Sequence, residues 1–395
     1  MKKQTILSLE QALTLPYATQ RFVHLGWRVI RMESMASGGD PNRYIGADTG
    51  INDLHSYYIA PKIGKEAITV NLKLKEGQEL LKKIIKELNV DIFMCNTLPM
   101  RYKQLGIDFS TLKSANPNLI WCGISALGPD YPDRAGYDPA LQAMLGIMHL
   151  TGEPDRDPML CGLPLVDLKA GDEAFTQVLL ALLEEKDKSG GKEIFISMAQ
   201  CITSWLITSL PELILNPEET DKFTRSGNEH RSFIPCNCYP TKDGYIYLAI
   251  GNDIQWEKLT QIIGFEHIAK PKRKMNKGRK QDKDNIYADI RKGTRQYTND
   301  ELLKICIENN LAVAPVNTLQ DVAKQEYVKK LMLKTYLPSG EEAELFPAPM
   351  NTDFLSQNKM CLNVAPRLGE HNPQILKEIG MSEEEIKRLK EEGVI

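Results

Sequence analysis

Short apolar runs alternate with amphipathic stretches through the first half of the chain. Residues 5–9 (TILSL), 27–32 (WRVIRM), 90–94 (VDIFM), 119–124 (LIWCGI) and 194–198 (IFISM) read as strands. Pro16 to Leu25 reads as a helix with proline in its first turn and Gly26 as its stop. Residues 74–88 place Leu80, Leu81, Ile84, Ile85 and Leu88 on one helical stripe. The clearest helix follows Asp167. Ala174, Phe175, Val178, Leu179, Leu182 and Leu183 keep helical spacing, and the charged run Glu184–Lys188 leads to a Gly190-Gly191 stop. Strands alternating with helices predict an α/β fold with a mainly parallel, doubly wound sheet.

A second region starts near Arg225. Asp243-Gly244 is a turn signal ahead of YIYLAI (245–250). Helices are expected near 253–263, 299–309 and 318–333, with a strand near 311–315. The tail from Pro347 reads as loop, then as helices opening at Asn372 and Ser382. The terminal helices need a host surface, and the first domain is the expected one. This organisation predicts a large domain over 1–205, a linker over 206–224, a smaller α/β domain over 225–330, and a return to the large domain over 331–395.

Composition narrows the function classes. Of 395 residues, 42% are hydrophobic and 26% charged, and the net charge is -3, so nothing global selects a polyanion partner. The basic stretch 270–283 holds eight Lys or Arg without interleaved aromatics, which reads as a solvated loop and not as a nucleic-acid surface. Eight scattered cysteines suit free thiols in a reducing compartment; Cys236 and Cys238 alone do not make a metal site. No apolar run reaches a membrane span, and the start of the chain does not read as a signal peptide. A cytoplasmic protein without membrane or nucleic-acid partners is expected.

No glycine-rich phosphate loop of the P-loop or dinucleotide type is complete, and the histidines form no metalloprotease motif. One carboxylate is singled out by its setting. Asp167 lies in LPLVDL (163–168), among apolar neighbours, at the mouth of the long helix. A carboxylate there meets free N–H groups and the positive end of the helix dipole. It is either a helix cap or a reactive group.

Several segments, in order and at matching spacing, carry a resemblance. They are PYATQ (16–20), LGWRVIRME (25–33), GDPNR (39–43), ITVNLK (68–73) with Gly77 and Leu80-Leu81, Leu105-Gly106, Asn116-Pro117, Gly136-Tyr137-Asp138, Gln142-Ala143, APRLGEH (365–371) and EEGVI (391–395). Together they resemble the class III CoA transferases, the family of the formyl-CoA:oxalate and carnitine CoA transferases. The resemblance runs almost end to end. It implies a Rossmann-like large domain built from both chain ends, a smaller domain between, and an interlocked dimer of two chains. It also implies an enzyme that moves CoA from an acyl-CoA to a carboxylic acid, with no permanently bound cofactor and CoA thioester as substrate.

In this resemblance Asp167 falls on the catalytic nucleophile, which passes through an aspartyl anhydride and an aspartyl–CoA thioester. Lys65 and Asn96 match CoA contacts. Thr97, Gln104 and Met35 replace CoA-binding residues of relatives, and Lys103, Arg31, Arg43 and Arg101 are basic groups near enough in sequence to hold phosphates instead. Leu13, Tyr137 and Asp138 match the substrate pocket, and Leu13 and Leu15 make the opening loop apolar. No metal is implied. Two alternatives stand beside this reading. One is a 2-methylacyl-CoA racemase, which needs histidine where Tyr137 stands. The other is one subunit of a hetero-oligomeric transferase.

Overall fold

The computed structural model describes residues 2–184, 190–218 and 223–395. The charged end Glu185–Lys188 of the long helix, and residues 219–222 of the expected linker, lie outside them. The described chain separates into two compact units, one made of 1–145, 161–217 and 326–395, the other of 146–160 and 218–325. Residues 146–160 therefore leave the large domain in which the sequence reading placed them.

In the first unit six parallel strands, β1 (Thr5–Leu9), β2 (Arg28–Glu33), β3 (Glu66–Thr69), β4 (Ile92–Cys95), β5 (Ile120–Ser125) and β6 (Lys192–Ser197), lie in the order β3-β2-β1-β4-β5-β6. The order reverses between β1 and β4, which is the doubly wound arrangement whose crevices open at the carboxyl ends of strands beside that reversal. Five strands match the apolar runs. β3 was not among them: it is four residues long and opens on a charged residue, so its period is too brief to read. Leu7, Ile30, Met32, Ile68 and Phe93 of the sheet share one buried core with Leu80, Leu81, Ile84 and Ile85 of the helix Lys75–Glu87.

The chain's end closes this core. Ile375, Leu376, Ile379, Leu389, Val394 and Ile395 join it. His371 N–H donates to Ala67 O at 3.0 Å, and Asn71 N–H to Val394 O at 2.7 Å. The terminal helices Asn372–Glu378 and Glu383–Glu391 thus pack on the first domain, as their apolar stripes require. The tail before them is not all loop. β10 (Met332–Tyr336) pairs antiparallel with β11 (Glu342–Pro347), and a short helix covers Asp353–Gln357. The helix expected over 318–333 is broken into Leu319–Lys324 and Glu326–Lys329, because Gln325 between them is extended.

The second unit holds an antiparallel sheet of β7 (Asn237–Pro240), β8 (Tyr245–Ala249) and β9 (Ala312–Pro315). It packs on the helices Asp253–Leu259, Lys283–Thr294 and Asn299–Glu308 through Ile246, Leu248, Trp256, Ile286, Ile290 and Leu302. The basic stretch 270–283 is not a solvated loop. It forms a turn of 3-10 helix at Pro271–Arg273 and the helix Asn276–Gln281, and Arg273 and Arg279 are buried. Arg273 pairs with Asp282 at 2.6 Å and Asp289 at 2.9 Å, and Arg279 with Asp253 at 2.7 Å. Two of its cations are therefore structural. The expected linker likewise contains a helix, Leu210–Leu215. Among the described residues no helix is long and apolar enough to cross a membrane, and no group of three or more His, Cys, Asp or Glu is arranged to hold a metal.

Candidate active site

The helix Leu165–Glu184 is opened by a carboxylate from elsewhere. Asp138, buried at the start of the helix Asp138–Met144, accepts at Oδ2 from the N–H groups of Val166 (2.7 Å) and Asp167 (3.1 Å). Gln142, one turn on, donates to Asp138 Oδ1 at 2.6 Å and to Leu163 O at 3.1 Å, and accepts from Cys161 N–H at 3.2 Å. The pair fastens segment 161–167 by its backbone. Asp167 sits in the first turn of the helix and is not its cap. That task belongs to Asp138, which is buried and anchors the start of the helix.

Asp167 is half-buried, and its Oδ1 accepts a short hydrogen bond from the hydroxyl of Thr14. Thr14 opens the helix Thr14–Val23 and was not singled out by sequence. Burial pushes the Asp167 carboxyl up to about 6; the Thr14 hydrogen bond pulls it down and the charge of Asp138 adds to the rise. At pH 7 it is still mostly ionised, and among the described residues Oδ2 has no hydrogen-bond partner. Gly171 makes the Thr14 contact possible. A Cβ there would stand 2.7 Å from the Tyr17 ring and 2.9 Å from Thr14 O, so only glycine lets the two helices come this close. Tyr57 lies in electrostatic reach: burial and then the charges of Asp167 and Asp138 raise its phenol. Tyr137 is 76% exposed. Leu13 is the half-buried residue before Thr14, while Leu15 is fully buried and lines no opening.

A cavity of about 240 Å³ lies in the loops after β1, β2, β3 and β4. Thr97 and Gln104 line it, with Lys73 and Arg101. Met35 is exposed between the lining residues Ser34 and Ser37, and Lys103 is exposed beside Gln104. Lys73, Arg101 and Lys103 make no ion pair among the described residues. Asn96 clamps the loop after β1, accepting from Gln11 N–H (3.1 Å) and donating to Gln11 O (2.8 Å).

Three expected cationic contacts are enclosed below this cavity. Arg31 is fully buried and pairs with Glu10 (3.4 Å), Glu33 (2.9 Å) and Asp40 (3.4 Å). Arg43 pairs with Glu33 at 2.5 Å and donates to Pro366 O at 3.1 Å. Lys65 holds Glu10 Oε1 at 2.8 Å, Pro16 O at 2.9 Å and Thr19 Oγ1 at 2.7 Å. All three are enclosed, and their charges face these carboxylates; Arg31 Nε, 3.4 Å from Glu10, is left without a hydrogen-bond partner. Burial opposes both charges of the Glu10–Lys65 pair. Lys65 and Arg31 nonetheless hold the Glu10 carboxyl down to about 2, while burial takes Lys65 down to about 7. The GDPNR and APRLGE segments meet in this network: Asp53 accepts from Arg367 Nε at 3.0 Å and from Leu368 N–H at 2.9 Å, and faces Arg43 at 3.5 Å.

Comparison with known proteins agrees with this architecture. The family model described as CoA-transferase family III matches residues 1–372. The chain is 29% identical to the succinate–glutarate CoA-transferase of Agrobacterium fabrum, over 95% of this chain and 94% of that one. It is 28% identical to the succinyl-CoA:glutarate CoA-transferase of Mus musculus, over 99% and 89%. A CAIB/BAIF family protein from Brucella suis superposes with a TM-score of 0.81 at 28% identity, over 95% and 98%. The parallel six-stranded sheet and a match along almost the whole chain make this protein a member of CoA-transferase family III, and hence a transferase enzyme.

Proposed function

We propose that the enzyme moves CoA from an acyl-CoA donor to a carboxylic acid through an aspartyl anhydride and an aspartyl–CoA thioester on Asp167, and that its acids are dicarboxylates of the succinate–glutarate class. The observation that carries the reading is the state of Asp167. It is relieved of capping by Asp138, partly desolvated, raised to about 6 and still ionised at neutral pH, with one oxygen free of hydrogen bonds among the described residues. That is the condition of a carboxylate nucleophile. The names of the two enzymes compared above supply the choice of acids. The cavity is smaller than the ~300–1,000 Å³ of a typical ligand pocket, so it suits one segment of CoA. Lys73, Arg101 and Lys103 are the cations available for its phosphates, and Thr97, Gln104 and Met35 line or flank that place. The racemase reading gains no support, since Tyr137 points to solvent.

The test is trapping. Incubation with succinyl-CoA followed by hydroxylamine or borohydride should modify Asp167, as read by peptide mass spectrometry. Full turnover by Asp167→Ala, or trapping at another residue, would end the reading. Lys73→Gln with Arg101→Gln should raise KM for the CoA donor and leave kcat nearly unchanged.

The working unit we assign is a dimer of identical chains. Its support is the apolar surface of 204–215, where Trp205, Ile207, Ile214 and Leu215 are all exposed, a patch that a solvated monomer rarely keeps. Sedimentation should give twice 44.6 kDa. A partner subunit of different sequence would be needed only if the single chain sediments as a monomer and is inactive.

A further inference from the structure

We infer that Thr14 gives the two oxygens of Asp167 separate tasks: Oδ1, held by the Thr14 hydroxyl, stays on Cγ through the whole cycle, and Oδ2 is the oxygen that attacks and is exchanged. The inference rests on the covalent reading above and deepens it.

Among the described residues the Thr14 hydroxyl is the one side chain that hydrogen-bonds the Asp167 carboxylate. The helix N–H groups that would otherwise hold it are taken by Asp138. Thr14 is itself fixed. It is 5% exposed, it is β-branched and so stiff at χ1, and it stands on the first turn of a helix. That helix is locked to the helix of Asp167 by the close approach at Gly171. Further along, Arg21 pairs with Asp172, and Tyr17 Oη donates to Asp172 at 3.3 Å. A carboxylate held at one oxygen by so rigid a donor does not turn over between cycles.

The chemistry follows atom by atom. Oδ2 attacks the thioester carbon of the donor; the C–Oδ2 bond forms and the C–S bond breaks, its electron pair leaving on sulfur. The thiolate then attacks Cγ. The Cγ–S bond forms, Cγ–Oδ2 breaks, and the donor acid departs carrying Oδ2. Negative charge collects on Oδ1 at the tetrahedral stage, where the Thr14 O–H already points. The acceptor carboxylate attacks Cγ and expels thiolate, again charging Oδ1. Thiolate then attacks the acceptor carbonyl, and the bridging oxygen, which came from the acceptor, remains on Cγ as the new Oδ2. No proton donor, oxidant or reductant is required. Thr14 is thus a positioning residue for the nucleophile and an oxyanion donor when Cγ is the electrophile.

Oxygen isotopes read this directly. Wild type, Thr14→Val and Thr14→Ser are turned over many times with succinyl-CoA and succinate carrying heavy oxygen in both carboxylates, and the Asp167 peptide is weighed. Wild type and Thr14→Ser should stop at one heavy oxygen. Thr14→Val should proceed to two, with kcat lower by about a hundredfold and KM for succinyl-CoA little changed. Two heavy oxygens in the wild type, or one in a folded Thr14→Val, overturns the inference while leaving the covalent route intact. No label in wild-type Asp167 overturns the covalent route, and the inference with it. The wild-type ceiling decides even where Thr14→Val does not fold.

Discussion

Asp167→Asn should inactivate the enzyme and make it more stable at neutral pH. The wild-type carboxyl rises from its ordinary 3.8 to about 6 in the folded chain, first because of burial and then because Asp138 is near. The folded state therefore binds the proton more tightly than the unfolded state. Stability from this group is present in full below about pH 4 and is lost as pH rises through 6. Two pKa units and a fraction correspond to about 3 kcal/mol, the cost at pH 7 of keeping the charge buried. Asparagine removes that charge, relieves the repulsion with Asp138 and still offers a carbonyl oxygen to the Thr14 hydroxyl. Thermal or urea unfolding of both proteins should show Asp167→Asn ahead by up to about 3 kcal/mol at pH 7, and the two converging near pH 4. A capping aspartate behaves in the opposite way: the helix N–H groups lower its carboxyl, so asparagine, itself a good cap, would leave stability at pH 7 unchanged or slightly reduced and never raised. A variant equal to or weaker than wild type at pH 7, or an advantage independent of pH, would refute the account of Asp167 as a strained nucleophile.

The pH profile of turnover should fall below about pH 6 with a slope of one proton, as Asp167 protonates; steady-state rates from pH 5 to 8 check it, and a flat profile contradicts it. Gly171→Ala pushes a Cβ into Tyr17 and the Thr14 carbonyl, so it should cost about 1–3 kcal/mol in unfolding assays and lower kcat more than it raises KM. Arg31→Met leaves Glu10, Glu33 and Asp40 buried without their shared cation; a loss of about 3–5 kcal/mol is expected, read as a fall in thermal midpoint. Arg273→Ala should unfold the second unit preferentially, because Asp282 and Asp289 both lose their buried partner and keep only exposed lysines as cations, and limited proteolysis within 218–325 would report it.

Much of the sheet was legible because a buried parallel strand writes itself as an unbroken apolar run. LIWCGI is fully buried in β5 but for its last neighbour, and nothing but a strand suits it at that length. β3 lacked that signature, and β10–β11 lacked it too, since β10 alternates half-buried and buried positions and β11 mostly exposed and half-buried ones, with no unbroken apolar run in either. The basic stretch misled for a different reason. Composition counts charge and does not show partners, and Asp253, Asp282 and Asp289, which draw Arg273 and Arg279 inside, are assembled only by the fold.

The site shows the same division more sharply. Asp167 is visible in sequence as a carboxylate at a helix mouth, but whether it caps or reacts is decided by Asp138, which lies 29 residues away. Asp138 in turn is readable as part of a motif, though its task is invisible without Val166 N–H opposite it. Thr14 carries no sequence signal at all: a threonine at a helix start looks like any other, and its hydroxyl acquires a meaning only because Gly171, 157 residues on, has no side chain to hold the helices apart. Lys65, Arg31 and Arg43 are the converse, basic residues in matching segments whose charges are spent on Glu10, Glu33 and Asp40 beneath the cavity. The basic residues of these segments thus divide into those that build the floor of the crevice and those on its rim, and burial tells them apart. On this division Lys73, Arg101 and Lys103 are the residues whose replacement should be felt by CoA, and the buried three are those whose replacement should be felt by the fold.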